Sequence, residues 1–441
     1  MNVVMFYTLG IHAQELPRKP FHGFRSQPCE GGGVIVGGLA PNGTALAMGL
    51  HSGDTLLLVN DRPIGGERGL TALSETKVGE HVSYTVKHGD ERRVLTGTVL
   101  ARPLEVDEDL EHTYGAVAHA GGRLRCIVTR PKGSSGKKPG VLFIQGLTCT
   151  AVCDLAVDHP YRRITSDIAR QGMIAMRVEK PGQGDSEGPL KCEDMDLLQE
   201  ADAFREALLY LRSLPDVDTS RIFVFGHSLG GITGPLITER ERVCGIATYG
   251  TSHVPWFEYF LQMLRIQGTF SKTDPLELEA AMRKYHRLLY ALLVERRTPL
   301  EEVQLDSSYG DLLRKDLQWD GGRRLLGRDM RVFWDLNGVD LSQAWHATSA
   351  PVLSMFGTAD MEVMTADAAK QITLIVNHGH PGNGTYLEFD SVDHSFAQVG
   401  NMEEEYKVNG TSGYWDVIRE KYDGRVAAAF VEWAMERSIK P

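Results

Sequence analysis

The sequence predicts an α/β protein: a mostly parallel, doubly wound sheet carrying a helical insertion, preceded by a smaller, mainly β module. Three observations predict it. Short apolar runs at 141–145, 173–179, 222–225, 243–249 and 352–356 alternate with helical patterns. Such runs, separated by helices, suit strands buried on both faces of a parallel sheet. The strand–helix rhythm stops between about 254 and 345, where aromatic, Leu and Met residues recur at helical spacing, as in WFEYFLQMLR and MRKYHRLLYALLVE. Before residue 104 the pattern is different again, with glycine-flanked strands and alternating apolar residues.

At 441 residues the chain is long enough for two domains. Apolar residues make up 42% and charged residues 24%, ordinary for a globular protein. The net charge of −11 disfavours nucleic acid and anionic lipid as partners. No apolar run approaches the roughly 20 residues of a membrane span.

The first 17 residues form a segment of their own. MNVVMFYTLGIHA has an apolar stretch and a weak signal-peptidase site at Ile11-His12-Ala13, but no Lys or Arg near Met1. It reads as a truncated or atypical signal or as a first strand; the signal reading places the protein in the periplasm or outside the cell, with the cytoplasm as the alternative. The six cysteines are scattered and make no disulfide framework. They read first as small buried hydrophobes, although Cys149 and Cys153 stand four apart and could form one clip, in an exported protein, or bind metal. No second Cys/His pair stands nearby, so no metal site is expected.

Residues 18–103 are the β-rich module. GGGVIVGG is a strand, GTALAMGL a short helix, and HSGDTLLLVNDRPI a turn, a strand and a turn at Asn60-Asp61. LTALSE suits a helix, and 81–100 alternates as a hairpin turning at Gly89-Asp90. This order, with Gly53-Asp54 followed by Val59-Asn60, resembles a PDZ domain of the bacterial protease-associated kind over about 85 residues. Phe21-His22-Gly23-Phe24 lies where that family has its carboxylate-binding loop. The resemblance therefore implies a peptide C-terminus as a partner there, or a module that only supports the rest of the chain. Charged 104–112 reads as a linker.

From 113 to 441 the elements follow in order. A hairpin turns at Ala120-Gly121-Gly122, then come the strand 141–145, a helix at 161–171, the strand 173–179, a long amphipathic helix at 197–214, the strand 222–225, a helix at 232–241 and the strand 243–249. After the insertion come the strand 352–356, a helix near 366–376, the strand 385–389 and a last helix at 424–437.

Gly226-His227-Ser228-Leu229-Gly230 matches G-x-S-x-G between a strand and a helix. A serine on a sharp strand-to-helix turn has strained backbone angles, so small neighbours are needed. The N–H of Leu229 then opens a helix and can face a developing oxyanion. A serine hydroxyl needs a base held by an acid. Asp360 follows the strand 352–356 and His394 follows the strand 385–389, both at strand carboxyl ends.

On GHSLGG, on Gly357-x-x-Asp360 and on Asp393-His394-Ser395-Phe396, the region from about 110 to 441 resembles the α/β-hydrolase superfamily. The resemblance implies Ser228 as nucleophile, Asp360 as acid and His394 as base, with Glu362 as a rival acid. Asp390 and Asp393 are candidates to support His394. The second oxyanion donor is expected from the loop after 141–145, at the N–H of Leu147. Relatives often carry His-Gly in that loop; this chain has Gln145-Gly146. Gln145 and His227 are candidate substrate contacts, although His227, next to the serine, suits packing or hydrogen bonding better. The turn 179–186 fits the family's structural E-x-P-G-x-G-x-S stretch. The insertion is expected to be a cap, with Trp256, Phe257, Tyr259 and Phe260 lining the site or packing the cap.

The expected reaction is hydrolysis of a carboxylic ester through an acyl-enzyme, without a cofactor. The alternatives are a peptidase or amide hydrolase of the same fold, and a peptide-binding adaptor with a vestigial hydrolase domain. A homo-oligomer is compatible with the sequence.

Overall fold

Residues that alternate between two apolar faces build this protein's central sheet. The computed structural model describes residues 16–29, 32–64, 71–411 and 413–437. The signal-like stretch at 1–15 lies outside them. The described chain divides into two compact units, one ending at Glu105 and one beginning at Val106.

The first unit is β-rich. Its strands are β1 (Phe24–Pro28), β2 (Val34–Leu39), β3 (Thr55–Val59), β4 (Arg62–Pro63), β5 (His81–His88) and β6 (Glu91–Thr98). They form an antiparallel sheet in the order β1-β2-β3-β5-β6, with β4 on β3. Two short helices, α1 (Thr44–Ala47) and α2 (Thr71–Ser74), complete it. Val36, Ala45, Leu56, Val59, Tyr84 and Val86 fill its core. Asp54 is fully buried and is answered by His88 and Arg93.

The second unit opens with an antiparallel hairpin, β7 (Leu110–His119) and β8 (Gly122–Pro131). The strand thus starts inside the stretch read as linker, because Leu110 is buried and pairs with Pro131. Next come β9 (Lys138–Ile144), α3 (Pro160–Arg170), β10 (Ile174–Val178), α4 (Leu197–Ser213), β11 (Val217–His227), α5 (Leu229–Thr238) and β12 (Gly245–Tyr249). The helical insertion follows: α6 (Trp256–Phe270), α7 (Pro275–Leu289), α8 (Pro299–Leu305), α9 (Tyr309–Leu317), the hairpin β13 (Arg324–Leu325) and β14 (Arg328–Asp329), α10 (Met330–Gly338) and α11 (Leu341–Ala347). The chain then returns to the sheet with β15 (Val352–Gly357), α12 (Asp367–Gly379) and β16 (Gly384–Phe389). It ends in α13 (Met402–Val408), α14 (Tyr414–Glu420) and α15 (Arg425–Arg437). The sequence had not marked α13 and α14, whose short polar stretches carry little periodicity.

The eight-stranded sheet runs β16-β15-β12-β11-β9-β10-β8-β7. It is parallel from β16 to β10 and antiparallel where β8 joins β10 and β7. Strand β11 shows why both faces are covered. Ile222 and Val224 pack into one core with α4 and the insertion, while Phe223 and Phe225 pack into the other with α3 and α15. Period-two alternation puts successive side chains on opposite faces. Phe225 meets Phe430 edge-on at 5.2 Å, an arrangement aromatic rings favour.

The clip between Cys149 and Cys153 does not form. Cys149 is bonded to Cys192, 43 residues on, and Cys153 is buried outside that disulfide. The backbone N–H groups of Val152 and Cys153 both donate to Glu179 Oε1, which fixes this end of the loop.

Candidate functional site

Strand β11 delivers Ser228 to the carboxyl edge of the sheet. The chain reverses there with Ser228 at φ 55° and ψ −123°, a conformation ordinary L-residues avoid. The sheet over-determines it. Ser228 N–H donates to Tyr249 O, and Ser228 O accepts from Gly231. The turn closes so tightly that a Cβ on Gly226 would stand 2.3 Å from Gly230 O, and one on Gly230 2.1 Å from Ile144 O. Both glycines of the motif are thus required by close backbone approach. Leu229 begins α5, so its N–H is among the first-turn donors that have no helical acceptor.

The loop after β9 comes up against the serine. A Cβ built on Gly146 would lie 3.1 Å from Ser228 Cβ and 3.4 Å from Oγ. Leu147 lines the same cavities as Ser228. Gln145 is buried and donates from Nε2 to Val178 O, tying the end of β9 to β10. It also lines a cavity with Ser228.

Asp360 leaves β15 fully buried. Its Oδ1 accepts from the backbone N–H groups of Glu362 and Val363, both at 2.8 Å. Its Oδ2 stands 2.8 Å from His394 Nδ1. His394 therefore pairs with Asp360 and not with Glu362. Gly250, at φ +59°, leaves room for this pair: a Cβ there would meet His394 Nδ1 at 2.8 Å and Asp360 Oδ2 at 2.9 Å. Burial pulls the His394 pKa down, but the charge and hydrogen bond of Asp360, joined by Glu362, outweigh it and raise it to about 9. Glu405, on α13, is itself held protonated up to about 9, mainly by burial. Asp393 is raised to about 7 by burial, and its Oδ1 accepts from Ser395 and Ala397, which shapes the turn carrying His394. Asp390 is exposed and bonds Ser391 and Thr358 instead.

His227 is buried with both ring nitrogens engaged inside the protein. Nε2 lies 2.8 Å from His394 O and Nδ1 2.8 Å from Tyr161 Oη. Burial, reinforced by His394, drives its pKa well below the usual value, so it is neutral. A carbonyl only accepts, so Nε2 carries the proton and Tyr161 donates to Nδ1. His227 thus holds the backbone of His394, and neither ring nitrogen is left for a substrate.

Two cavities, of about 450 and 400 Å³, meet at Ser228. They share Leu147, Gln318, Leu326, Glu362 and Asn409. Trp256, Tyr259 and Phe260 of the insertion line the first; His394, Tyr161 and Trp415 line the second. Phe257, expected with the first group, instead packs edge-on against His286 and Tyr290 within the insertion. The turn 179–186 braces the site from outside: Ser186 accepts from Arg125 N–H, and Asp185 pairs with the Arg125 guanidinium.

Sequence reasoning missed Gly250, Tyr161, Glu405, Lys180, Glu200 and Arg328. Glu200 carried a signal, because it falls on the apolar stripe of α4 between Leu197 and Phe204. A carboxylate on a buried stripe requires a partner.

A model of the alpha/beta hydrolase family matches residues 148–397, more than half of the chain. Esterase EstD of Thermotoga maritima is 24% identical over 269 residues, which cover 60% of this chain and 56% of that protein. The polyketide transferase claH of Penicillium crustosum is 38% identical over 105 residues, 24% of this chain and 32% of that one. The chain therefore spans about half, or less, of the length of these relatives. Among solved structures, Est1E from Butyrivibrio proteoclasticus with ferulic acid bound aligns with 74% of this chain and 100% of its own, at 15% identity and a TM-score of 0.45. The esterase domain of a Rhodothermus marinus protein aligns with 74% and 98%, at 15% identity and a TM-score of 0.42. No helix among the described residues is long and apolar enough to cross a membrane. With the family match spanning β9's loop through the turn after His394, the chain belongs to the alpha/beta hydrolase family.

Proposed function

We propose that this protein is a serine hydrolase that cleaves a carboxylic ester through an acyl-enzyme. One observation carries the reading: the strained Ser228 opens onto a cavity that His394 also lines, and His394 is held by Asp360 at 2.8 Å. In its neutral form, which the raised pKa favours only on the alkaline side, His394 accepts the Ser228 proton as Oγ attacks the ester carbonyl. Asp360 fixes the proton on Nδ1, which leaves Nε2 as the base, and stabilises the imidazolium. The N–H groups of Leu229 and Leu147 receive the oxyanion. The imidazolium returns its proton to the leaving alcohol. His394 then activates water, which releases the acid and restores Ser228.

The name of the Thermotoga relative supports an ester as substrate. The two cavities offer separate room for the acyl and alcohol portions, under a cap formed by the insertion. An amide hydrolase is the second reading, favoured by the β-rich first unit, whose PDZ-like order suits capture of a peptide C-terminus. The Cys149–Cys192 bond fits an oxidising compartment and so supports export.

The test is labelling of the full chain with a fluorophosphonate, followed by peptide mapping. An adduct on Ser228 that is lost in His394→Ala supports the reading, and a chain that gives no adduct there refutes it. A panel of esters, thioesters and aminoacyl amides then separates the two substrate classes.

A further inference from the structure

Behind the loop 145–149 lies a buried ion cluster that the proposed chemistry does not use. Lys180, which follows β10, Glu200 on α4 and Arg328 on β14 are each at most 1% exposed. Lys180 Nζ is 2.8 Å from Glu200 Oε1, and Arg328 Nη2 is 2.7 Å from Glu200 Oε2. Each cation has a second contact. Lys180 Nζ donates to Gly146 O at 2.6 Å, and Arg328 Nη1 donates to Leu147 O at 2.7 Å. Two consecutive carbonyls of one loop are thus gripped by two buried cations that share a single carboxylate.

The consequence follows from peptide geometry. In a planar trans peptide the C=O and the next N–H point in opposite directions. Lys180 draws the Gly146 carbonyl toward itself, so the Leu147 N–H of the same peptide must face the other way. Gly146 lies against Ser228, and Leu147 lines both cavities with it. Burial lowers the Lys180 pKa to about 8, with Glu200 opposing, so the group stays cationic at neutral pH. Two cations and one anion leave one net positive charge against the loop.

We infer that Lys180 and Arg328, held by Glu200, are positioning residues: Lys180 fixes the Gly146–Leu147 peptide with its N–H turned toward the oxyanion, and Arg328 pins the next peptide by the Leu147 carbonyl, so that the loop cannot rotate about Leu147. The inference rests on the proposed serine mechanism. It also gives the insertion a role beyond walling the cavity, because Arg328 ties β14 to the oxyanion loop. A purely hydrophobic contact would have filled the space without orienting a carbonyl. A buried ion cluster adds little net stability for its cost, which favours a role in orientation.

Removing one ion alone strands the others, so the test uses two variants of the full chain. In K180M/E200L/R328M all three charges go together, and apolar replacement of a buried ion set is commonly tolerated. In R328K the charge facing Glu200 stays, but the shorter side chain loses its reach to Leu147 O. Each is assayed with p-nitrophenyl butyrate and with an aryl trifluoromethyl ketone, whose serine adduct carries an alkoxide. For the triple variant the expected result is a fall in kcat of roughly 10- to 100-fold, below the loss of a whole donor. KM should stay within about threefold, since ground-state binding does not use the oxyanion contact. Affinity for the trifluoromethyl ketone should fall by the same factor as kcat, while the plain methyl ketone binds as before. R328K should show the same pattern at roughly 3- to 10-fold.

A folded triple variant with unchanged kcat, or one whose KM rises while ketone affinity is kept, overturns the inference. If the triple variant does not fold, R328K decides alone, and wild-type kcat in it is refuting. Failure of the underlying mechanism looks different: wild-type protein then forms no phosphonate adduct on Ser228.

Discussion

Replacing Asp360 with Asn changes one atom, and the structure specifies what that atom does. Asp360 Oδ1 accepts from two backbone N–H groups, of Glu362 and Val363. Its Oδ2 accepts from His394 Nδ1. An Asn amide has one accepting and one donating end. Turning the NH₂ toward Glu362 and Val363 would set it against two donors in a fully buried site. The carbonyl therefore keeps the backbone pair, and the NH₂ faces Nδ1. Nδ1 must now accept, so the imidazole proton moves to Nε2, the nitrogen that the proposed mechanism needs as base. Hydrogen bonds are conserved in number, so the fold should be retained with a Tm change of about 2–4 °C or less. The activity should not be: the wrong tautomer costs roughly 10³- to 10⁴-fold in kcat, about 4–5.5 kcal/mol of transition-state stabilisation. The assay is steady-state hydrolysis of p-nitrophenyl butyrate, with thermal unfolding in parallel. D360N within tenfold of the wild-type rate would refute both the acid assignment and the tautomer argument.

Three other outcomes are expected. E362Q removes a carboxylate that raises the His394 pKa; the base must be neutral, so the acidic limb of the kcat/KM profile should shift to lower pH, and an upward shift would count against the cause assigned. G250A places a methyl 2.8 Å from His394 Nδ1 at a left-handed φ, so kcat should drop at least ~10²-fold through displacement of the His394–Asp360 pair, read against circular dichroism to verify folding. C149S/C192S opens a 43-residue separation and should lower stability by ~4 kcal/mol on chain-entropy grounds, or less if the unfolded chain keeps structure, as measured by urea unfolding.

The family fold was legible because its signals are local and repeated. Alternating apolar strands and helices predict a parallel sheet whatever the details, and G-x-S-x-G on a strand-to-helix turn reports a steric requirement that only small residues meet. The structure bears this out at Gly230, where a Cβ would collide with Ile144 O. Asp360 and His394 were legible as candidates because each follows a strand at the carboxyl edge of the sheet, and the structure sets their side chains 2.8 Å apart. The same logic could single out Glu200 on its apolar stripe, but it could not bring it together with Lys180 and Arg328, because the three come from a helix, a loop and a hairpin far apart in the chain. Nor could it pair Cys149, for which spacing offered only Cys153 as a possible partner while the fold brings up Cys192. Phe257 and Phe260 likewise sit three apart on one helix, yet Phe260 lines the cavity and Phe257 packs within the insertion.

The sequence by itself determined the periodicity of each element, the elbow that strains Ser228 and the order of the residues that can act with it. Those depend on neighbours along the chain. Tertiary structure alone decided which carboxylate meets His394, which cysteine meets Cys149 and which cations hold the loop beside Ser228. Each of those is a contact between distant segments, and its partner is chosen by where the packed sheet and helices leave a side chain, which no local pattern encodes.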